Sequence, residues 1–122
     1  MFGIRKSSQD LGRAGELIAL RYLRREGYAI LETRFRFLRG EIDIVARDRD
    51  TLVFVEVKMR TGPGFGRPEE SVTAGKQRQI RKVAEGYFLL RKPGGRPCRF
   101  DVVAIRPDGE RGFAVEHFRD AF

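Results

Sequence analysis

Three carboxylates and one lysine stand where the surrounding sequence pattern favours apolar side chains. Glu16 falls on a predicted helix, and its neighbours one and two turns further on are apolar. Asp43 interrupts an alternating run of isoleucine and valine, while Glu56 and Lys58 continue the face of an otherwise apolar strand. A carboxylate in such surroundings needs a cation, a metal ion or an arginine as its partner, unless it reaches the solvent.

A predicted β-hairpin brings three of these residues together. A turn at residues 49–50 places Asp43 opposite Glu56. The same register places Glu41 opposite Lys58, whereas a one-residue slip would separate the four side chains. Opposed carboxylates repel each other, and Mg²⁺ or Mn²⁺, which prefer oxygen ligands, would remove that conflict. Lys58 could then orient or deprotonate a water, or offset charge on a phosphate. The alternative is a solvated strand end that bears ordinary ladder charges.

The apolar periodicity predicts the helices and strands that carry these residues. They are a helix over residues 10–27, strands over 28–37, 41–46 and 52–59, a helix over 72–91, and strands over 99–105 and 112–118. Asp10 is the predicted N-cap of the first helix, and Gly27 is its predicted end. The predicted inward stripes are Leu11, Ala14, Ile18 and Tyr22, and then Ile80, Val83, Ala84, Tyr87 and Leu90. The order α-β-β-β-α-β-β predicts an α/β fold with a mixed β-sheet flanked by helices.

Charge and size narrow the class of protein. The chain has 122 residues, which is room for one domain, and 41% of them are hydrophobic, which excludes disorder throughout. Lys and Arg number 25 against 17 Asp and Glu, so the formal net charge is +8. A polyanion is therefore the first partner to consider, and a basic surface that merely keeps the protein soluble is the alternative.

Cysteine and histidine are nearly absent. With Cys98 and His117 as the only members of their types, an internal disulfide and a Cys/His zinc site are excluded, and a Ser-His-Asp triad is disfavoured. We interpret Cys98 as a small buried residue and His117 as incidental. Residues 1–9 form a loose basic lead-in without the apolar stretch of a signal peptide, and other apolar runs are too short for a bilayer. These features predict a soluble, cytoplasmic protein that makes no membrane contact.

Basic residues cluster on the second predicted helix. Between residues 71 and 92, six Lys and Arg oppose one Glu, which suits a helix that follows a nucleic-acid backbone and equally suits a well-solvated helix. A lysine close to a helix N-terminus is a reasonable phosphate contact, although a surface cap lysine has the same sequence. The residues predicted to contact nucleic acid are Lys76, Gln77, Arg81, Lys82 and Arg60. The breaker-rich segment 61–70 is predicted to be a mobile loop over the site.

The motifs together resemble those of a known family. Asp43 followed by Glu56-Val57-Lys58 on a hairpin resembles the signature of the PD-(D/E)XK nucleases, with Glu16 matching their first-helix glutamate. The full set, from about Leu11 to Ile105, resembles the YraN family of small bacterial proteins. The matching stretches are Gly15-Glu16, Gly27-Tyr28, Gly40-Glu41-Ile42-Asp43-Ile44, Val53 to Arg60, Val72-Thr73, Lys76-Gln77 and Arg99 to Val103.

This resemblance implies a single restriction-endonuclease-like domain over residues 1–122 and a specific set of roles. It implies Mg²⁺ or Mn²⁺ as cofactor, with Asp43, Glu56 and the backbone carbonyl of Val57 as ligands and Glu16 as an added ligand. Lys58 takes the role of the catalytic lysine. The sequence departs from the family at Arg34, where many members have an asparagine. That position is not a ligand, so the change affects a turn or a contact rather than the metal site.

The function expected from the resemblance is metal-dependent hydrolysis of DNA phosphodiester bonds. Attack by a metal-activated water on the backbone phosphate would be independent of sequence or selective for structure. A non-catalytic module that retains the fold and binds nucleic acid or a DNA-processing partner is the alternative, and an RNA nuclease is a third possibility. Cleavage of both strands would be easiest for a homodimer.

Overall fold

The computed structural model of the protein describes residues 8–60, 72–110 and 112–122, with side chains described from residue 12 within those ranges. The elements are α1 (Ser8–Arg25), β1 (Ala29–Phe37), β2 (Gly40–Asp48), β3 (Thr51–Met59), α2 (Ala74–Arg91), β4 (Cys98–Asp108) and β5 (Gly112–Phe118). The strands form one sheet in the order β1-β2-β3-β4-β5. β3 and β4 pair in parallel, and the other neighbours pair antiparallel. The predicted element order and the mixed sheet of a restriction-endonuclease-like fold are confirmed.

The two helices cover opposite faces of the sheet. The core beneath α1 joins helix residues to strand residues, among them Ala19, Leu20, Leu23, Ile44, Val53 and Val55. The core beneath α2 does the same with Ile80, Val83, Ala84, Tyr87, Val45, Leu52 and Phe54. Because β2 and β3 are covered on both faces, their sequences are nearly continuous apolar runs, and a charged residue within them requires a specific partner.

α1 packs through a stripe that differs from the predicted one. The buried stripe consists of Gly15, Ala19, Leu20 and Leu23. Ile18 and Tyr22, predicted to face inward, are only partly buried at its border. A Cβ atom on Gly15 would lie 2.6 Å from the sulfur of Met59, so the missing side chain lets α1 approach the end of β3 closely. Glu16 is thereby held beside the carboxyl end of β3.

β2 and β3 form the predicted antiparallel hairpin in the predicted register. Their pairing extends from the turn at residues 49–50 to the pair Ile44↔Val55. Counting one step further places Asp43 opposite Glu56, immediately beyond the last pair of the ladder. The two carboxylates therefore lie at the open end of the hairpin, where the strands no longer hydrogen-bond to each other.

Ile42 departs from the predicted alternation of β2. The sequence pattern placed Ile42 and Ile44 on the same face, but Ile42 packs in the α2 core and Ile44 packs in the α1 core. The change of face falls at the residue between them, where the ladder to β3 ends. This irregularity frees the Asp43 side chain from the regular alternation of the strand.

α2 connects the two parallel strands, so its N-terminus comes back to the carboxyl end of β3. Thr73 is its N-cap, and the hydroxyl of Thr73 accepts a hydrogen bond from the backbone N–H of Lys76 at 3.2 Å. The predicted inward stripe is confirmed except for Leu90, which is 56% exposed. Gly86 lies directly against the ring of Phe37, which leaves no room for a side chain there.

Some sequence predictions fall at or beyond the described ranges. The predicted mobile loop 61–70 and residues 1–7 of the lead-in lie outside the described residues, and α1 already begins at Ser8 instead of near Asp10. Cys98, predicted to be buried, is exposed. Within the described parts of the chain, neither helix is long and apolar enough to cross a membrane.

Candidate active site

The partly buried Asp43 and the buried Glu56 form a carboxylate pair at the end of the hairpin. The Asp43 carboxylate accepts a hydrogen bond from the backbone N–H of Val57 at 2.8 Å. Glu56 is only 7% exposed, although it is a charged residue on a strand. This hydrogen bond takes the place of the next backbone hydrogen bond between β2 and β3. It holds the Asp43 carboxylate next to Glu56.

Electrostatics at the pair favour protonation or a bound cation. Burial raises the pKa of Glu56 to about 7, and the charge of Asp43 adds to this rise, while Lys76 and Lys58 oppose it. Burial also raises the pKa of Asp43, and the hydrogen bond from Val57 only partly offsets that effect. Burial therefore disfavours the ionised form of both carboxyl groups, and the neighbouring lysines offset this effect only in part.

Lys76 is the predicted nucleic-acid contact that comes closest to the pair. Its ammonium nitrogen lies 3.8 Å from Glu56 Oε1, and the first turn of α2 positions it there. Gln77, in the same turn, instead donates a hydrogen bond to the backbone carbonyl of Val72 at 3.0 Å. Lys76 therefore belongs to the candidate site, and Gln77 fixes the chain that leads into the helix.

A cavity of about 590 Å³ opens between α1 and the end of β3. Four of the predicted site residues line it: Glu16, Asp43, Val57 and Lys58. The structure thus brings together, around one cavity, residues that are distant in the sequence. Glu56 is not among the residues that line this cavity.

The walls of this cavity also carry arginines that pair with glutamates. Arg34 Nε donates to Glu16 Oε2 at 3.0 Å, and Arg36 Nε donates to Glu41 Oε2 at 3.1 Å. Glu41, which the sequence predicted opposite Lys58, takes its hydrogen bond from Arg36 on the neighbouring strand β1, and the β2–β3 ladder ends before Glu41. Arg13, one turn before Glu16, completes the basic part of the wall.

The carboxylate pair fits Mg²⁺ or Mn²⁺ in donor type and in charge. Both ligands are oxygen atoms, and a divalent cation would stabilise the ionised carboxylates, whose pKa values burial raises. Among the described residues, no group of three or more His, Cys, Asp or Glu side chains is close enough to hold a metal ion. Glu16, the predicted added ligand, is engaged by Arg34 instead of being gathered with the pair.

Three further predicted contacts lie away from the cavity. The guanidinium of Arg81 stacks 4.9 Å from the ring centroid of Phe100, so it also holds the fold together. Lys82 borders a second, apolar groove that includes Phe37. The backbone N–H of Arg60 donates a hydrogen bond to the backbone carbonyl of Ile105 at 2.7 Å. This bond continues the backbone pairing between β3 and β4.

Sequence reasoning missed a buried polar network on the α1 face. His117, interpreted as incidental, has its Nε2 atom 2.7 Å from Asp101 Oδ2 and its Nδ1 atom 3.1 Å from the hydroxyl of Tyr22. Arg99 binds the same Asp101 through two nitrogens, as expected for a structural arginine. Burial alone would raise the pKa of Asp101, but the hydrogen bonds from His117, Arg99 and the Asp120 backbone lower it. Apart from Arg99 and Asp101, which both lie on β4, these contacts join residues of different elements, and no local pattern in the sequence indicates them.

Comparison with known proteins places the chain in a family. Residues 15–105 match the family described as "Uncharacterised protein family UPF0102". A UPF0102 protein of Chlorobium limicola is 48% identical over 118 residues, covering 93% of this chain and 92% of the relative. A UPF0102 protein of Syntrophotalea carbinolica is 50% identical over 113 residues, covering 93% and 91%. A third, from Geotalea uraniireducens, is 47% identical over 118 residues, covering 97% and 93%. The resemblance to the YraN family is thereby confirmed, and the chain belongs to family UPF0102.

Proposed function

We propose that the protein is a metal-dependent nuclease that hydrolyses DNA phosphodiester bonds at Asp43 and Glu56. One observation carries this proposal: the partly buried Asp43 and the buried Glu56 lie side by side at the open end of a hairpin, and burial raises the pKa of both. A fold does not keep such a repulsive pair for its stability alone. A reaction centre that binds a divalent cation explains why it is there.

The residues at the site would have separate roles in metal binding and in phosphate hydrolysis. Asp43 and Glu56 would hold Mg²⁺ or Mn²⁺, with the backbone carbonyl of Val57 as a further oxygen donor, while Glu16 stays bound to Arg34. When bound, the ion would neutralise charge on the reacting phosphate and acidify the attacking water. Lys58, which lines the cavity beside Asp43, would orient that water and stabilise negative charge that develops on the phosphate.

Affinity for nucleic acid would come mainly from the backbone phosphates. The formal charge of +8 supports binding that follows the backbone rather than the bases and weakens steeply with salt. Lys76 lies closest to the reaction centre, and Gln77, Arg81, Lys82 and Arg60 would extend the contact surface. We place this activity in the cytoplasm, and we propose DNA as its substrate. A homodimer would allow both strands to be cut.

Nicking of supercoiled plasmid tests the proposal. Purified protein should nick the plasmid with Mn²⁺ or Mg²⁺ but not with EDTA, and Asp43→Asn should abolish both nicking and metal binding. Asp50→Asn is the matched control, because Asp50 is an exposed carboxylate at the opposite end of the same hairpin. Nicking that persists in Asp43→Asn, or that ignores EDTA, would show that this pair is not the reaction centre.

A second candidate function is a module that binds nucleic acid without cutting it. The engagement of Glu16 by Arg34 favours this candidate, because it occupies the third carboxylate with an internal partner. Binding without metal-dependent cleavage on duplex, branched and single-stranded DNA would support the module. Replacing DNA by RNA in the same assay tests the RNA nuclease.

A further inference from the structure

Arg34 has a backbone conformation that is unusual for its residue type. Its φ of 53° lies in the left-handed region, which glycine and asparagine adopt far more readily than arginine. In the pairing of β1 with β2, Arg34 stands between Thr33↔Ile44 and Phe35↔Ile42, and counting places it opposite Asp43. An unfavourable backbone conformation therefore coincides with the position across from the candidate reaction centre, which suggests a functional reason for it.

The side chain of Arg34 is held in place by a partner from another element. Its Nε atom donates to Glu16 Oε2 at 3.0 Å, and the Glu16 side chain is only 15% exposed. Within the described parts of the chain, this is the one hydrogen bond of the Arg34 guanidinium. The two terminal nitrogens keep their donors, and the residue lines the same cavity as Asp43. Glu16 thus orients the guanidinium and leaves its outer donors for a ligand.

Charge and space in the cavity indicate the ligand. Arg13 and Arg34 line one wall, and the volume of about 590 Å³ exceeds what a metal ion and its waters would fill. The two terminal nitrogens of Arg34, which no described residue engages, form a planar fork of donors that can bind a phosphate group through two hydrogen bonds. A phosphate in this cavity would lie next to Asp43.

We propose that Arg34, oriented by Glu16 and assisted by Arg13, forms a subsite for the DNA backbone phosphate adjacent to the one that is cut. This proposal rests on the proposed nuclease function, since Asp43 defines where cutting would occur. Arg34 is a phosphate-binding residue in this scheme, and Glu16 is its positioning residue. The metal is held by Asp43 and Glu56 without taking Arg34 away from Glu16.

The salt dependence of DNA binding in EDTA tests the subsite without any metal or cleavage. The probe is a fluorescein-labelled 20-base-pair duplex, titrated at several NaCl concentrations. Arg34→Asn, which suits the left-handed backbone, should fold normally and lower the slope of log K against log salt by about 0.9 for one lost phosphate contact. Arg34→Lys should retain more of the slope, because it keeps the charge.

Arg49→Asn is a closely matched control. Arg49 also has a left-handed backbone, with φ of 57°, but it lies in the β2–β3 turn at the far end of the hairpin. The same substitution there should leave the slope unchanged. If Arg34→Asn and Arg49→Asn give the same slope as the parent, the phosphate subsite is refuted.

A parallel cleavage assay with Mn²⁺ distinguishes failure of the subsite from failure of the nuclease. If the parent cuts, Asp43→Asn does not, and Arg34→Asn retains both the slope and the rate of the parent, the nuclease stands and the subsite is wrong. If the parent does not cut but Arg34→Asn loses slope, the nuclease fails and the phosphate contact itself is supported. Loss of both slope and cutting in Arg34→Asn supports the complete proposal.

Discussion

The Glu56→Gln substitution should stabilise the metal-free protein at high pH. The pKa of Glu56 is about 7 in the folded protein against 4.5 for a free glutamate. Between these values the folded state binds more protons than the unfolded state, so stability is lost as the pH rises from about 4.5 to 7. Glutamine cannot ionise, so the variant does not lose this stability.

The size of the effect follows from the same two pKa values. A tenfold change in proton affinity is worth about 1.4 kcal/mol, so the difference between 4.5 and about 7 corresponds to about 3 kcal/mol at pH 8. At pH 5 most of the Glu56 carboxyl is already protonated in the folded protein, and the variant should exceed the parent by only about 1 kcal/mol. The advantage of Glu56→Gln should therefore grow with pH.

Urea unfolding in EDTA, followed by far-UV circular dichroism at pH 5 and pH 8, measures this difference. Glu85→Gln serves as the control, because it removes an exposed carboxylate from α2 and should show no such pH dependence. Saturating Mn²⁺ should stabilise the parent at pH 8 more than the variant. A stability difference that is the same at both pH values would refute the idea that Glu56 carries a buried and poorly compensated charge.

Three other substitutions test separate parts of the structure. Lys58→Met should slow plasmid nicking by roughly a hundredfold or more, while the affinity for duplex DNA changes little. Nicking at the parental rate would show that Lys58 is an ordinary charged residue of the strand without a catalytic role. Asp101→Asn should lower the free energy of unfolding in urea by about 3–5 kcal/mol, because it breaks a buried ionic network, and a loss below 1 kcal/mol would contradict that role. Gly86→Ala should cost about 1–3 kcal/mol in the same assay, since its Cβ meets the Phe37 ring, and a neutral effect would mean that the ring moves freely.

The hairpin could be predicted because its information is local. A polar two-residue turn at 49–50 and apolar runs on both sides determine the register, and the register alone brings Asp43 next to Glu56. The motif Glu56-Val57-Lys58, following Asp43, then indicated the chemistry of a metal-dependent nuclease. The order of elements along the chain and the mixed sheet followed from the same alternation of apolar runs and turns.

The buried face of α1 could not be read from helical periodicity. Two neighbouring stripes of the helix are apolar, and the choice between them depends on Gly15, whose lack of a side chain lets Met59 approach. A glycine inside a helix lowers the stability of the isolated helix. The reason for Gly15 is therefore apparent only from its tertiary contact with Met59. The prediction therefore placed Ile18 and Tyr22 too deep.

Long-range polar pairs were also beyond the sequence pattern. His117 and Asp101 come from adjacent antiparallel strands, and Glu16 and Arg34 come from a helix and a strand. Nothing in the sequence near Arg34 indicates a left-handed backbone, because arginine rarely adopts one. A lone residue whose partner is distant in the chain gives no spacing from which to infer it.

The parallel pairing of β3 with β4 has a consequence for the order in which the protein folds. The β2–β3 hairpin closes through a two-residue turn, so it can form within microseconds, whereas β4 must wait for the crossover through α2. Asp43 and Val57 thus meet early, in a hairpin still open to water. We expect the docking of α2 to dehydrate Glu56 and to limit the rate of folding, so the cost of burying its charge would fall on that step. Refolding should therefore accelerate when the pH is lowered toward 5.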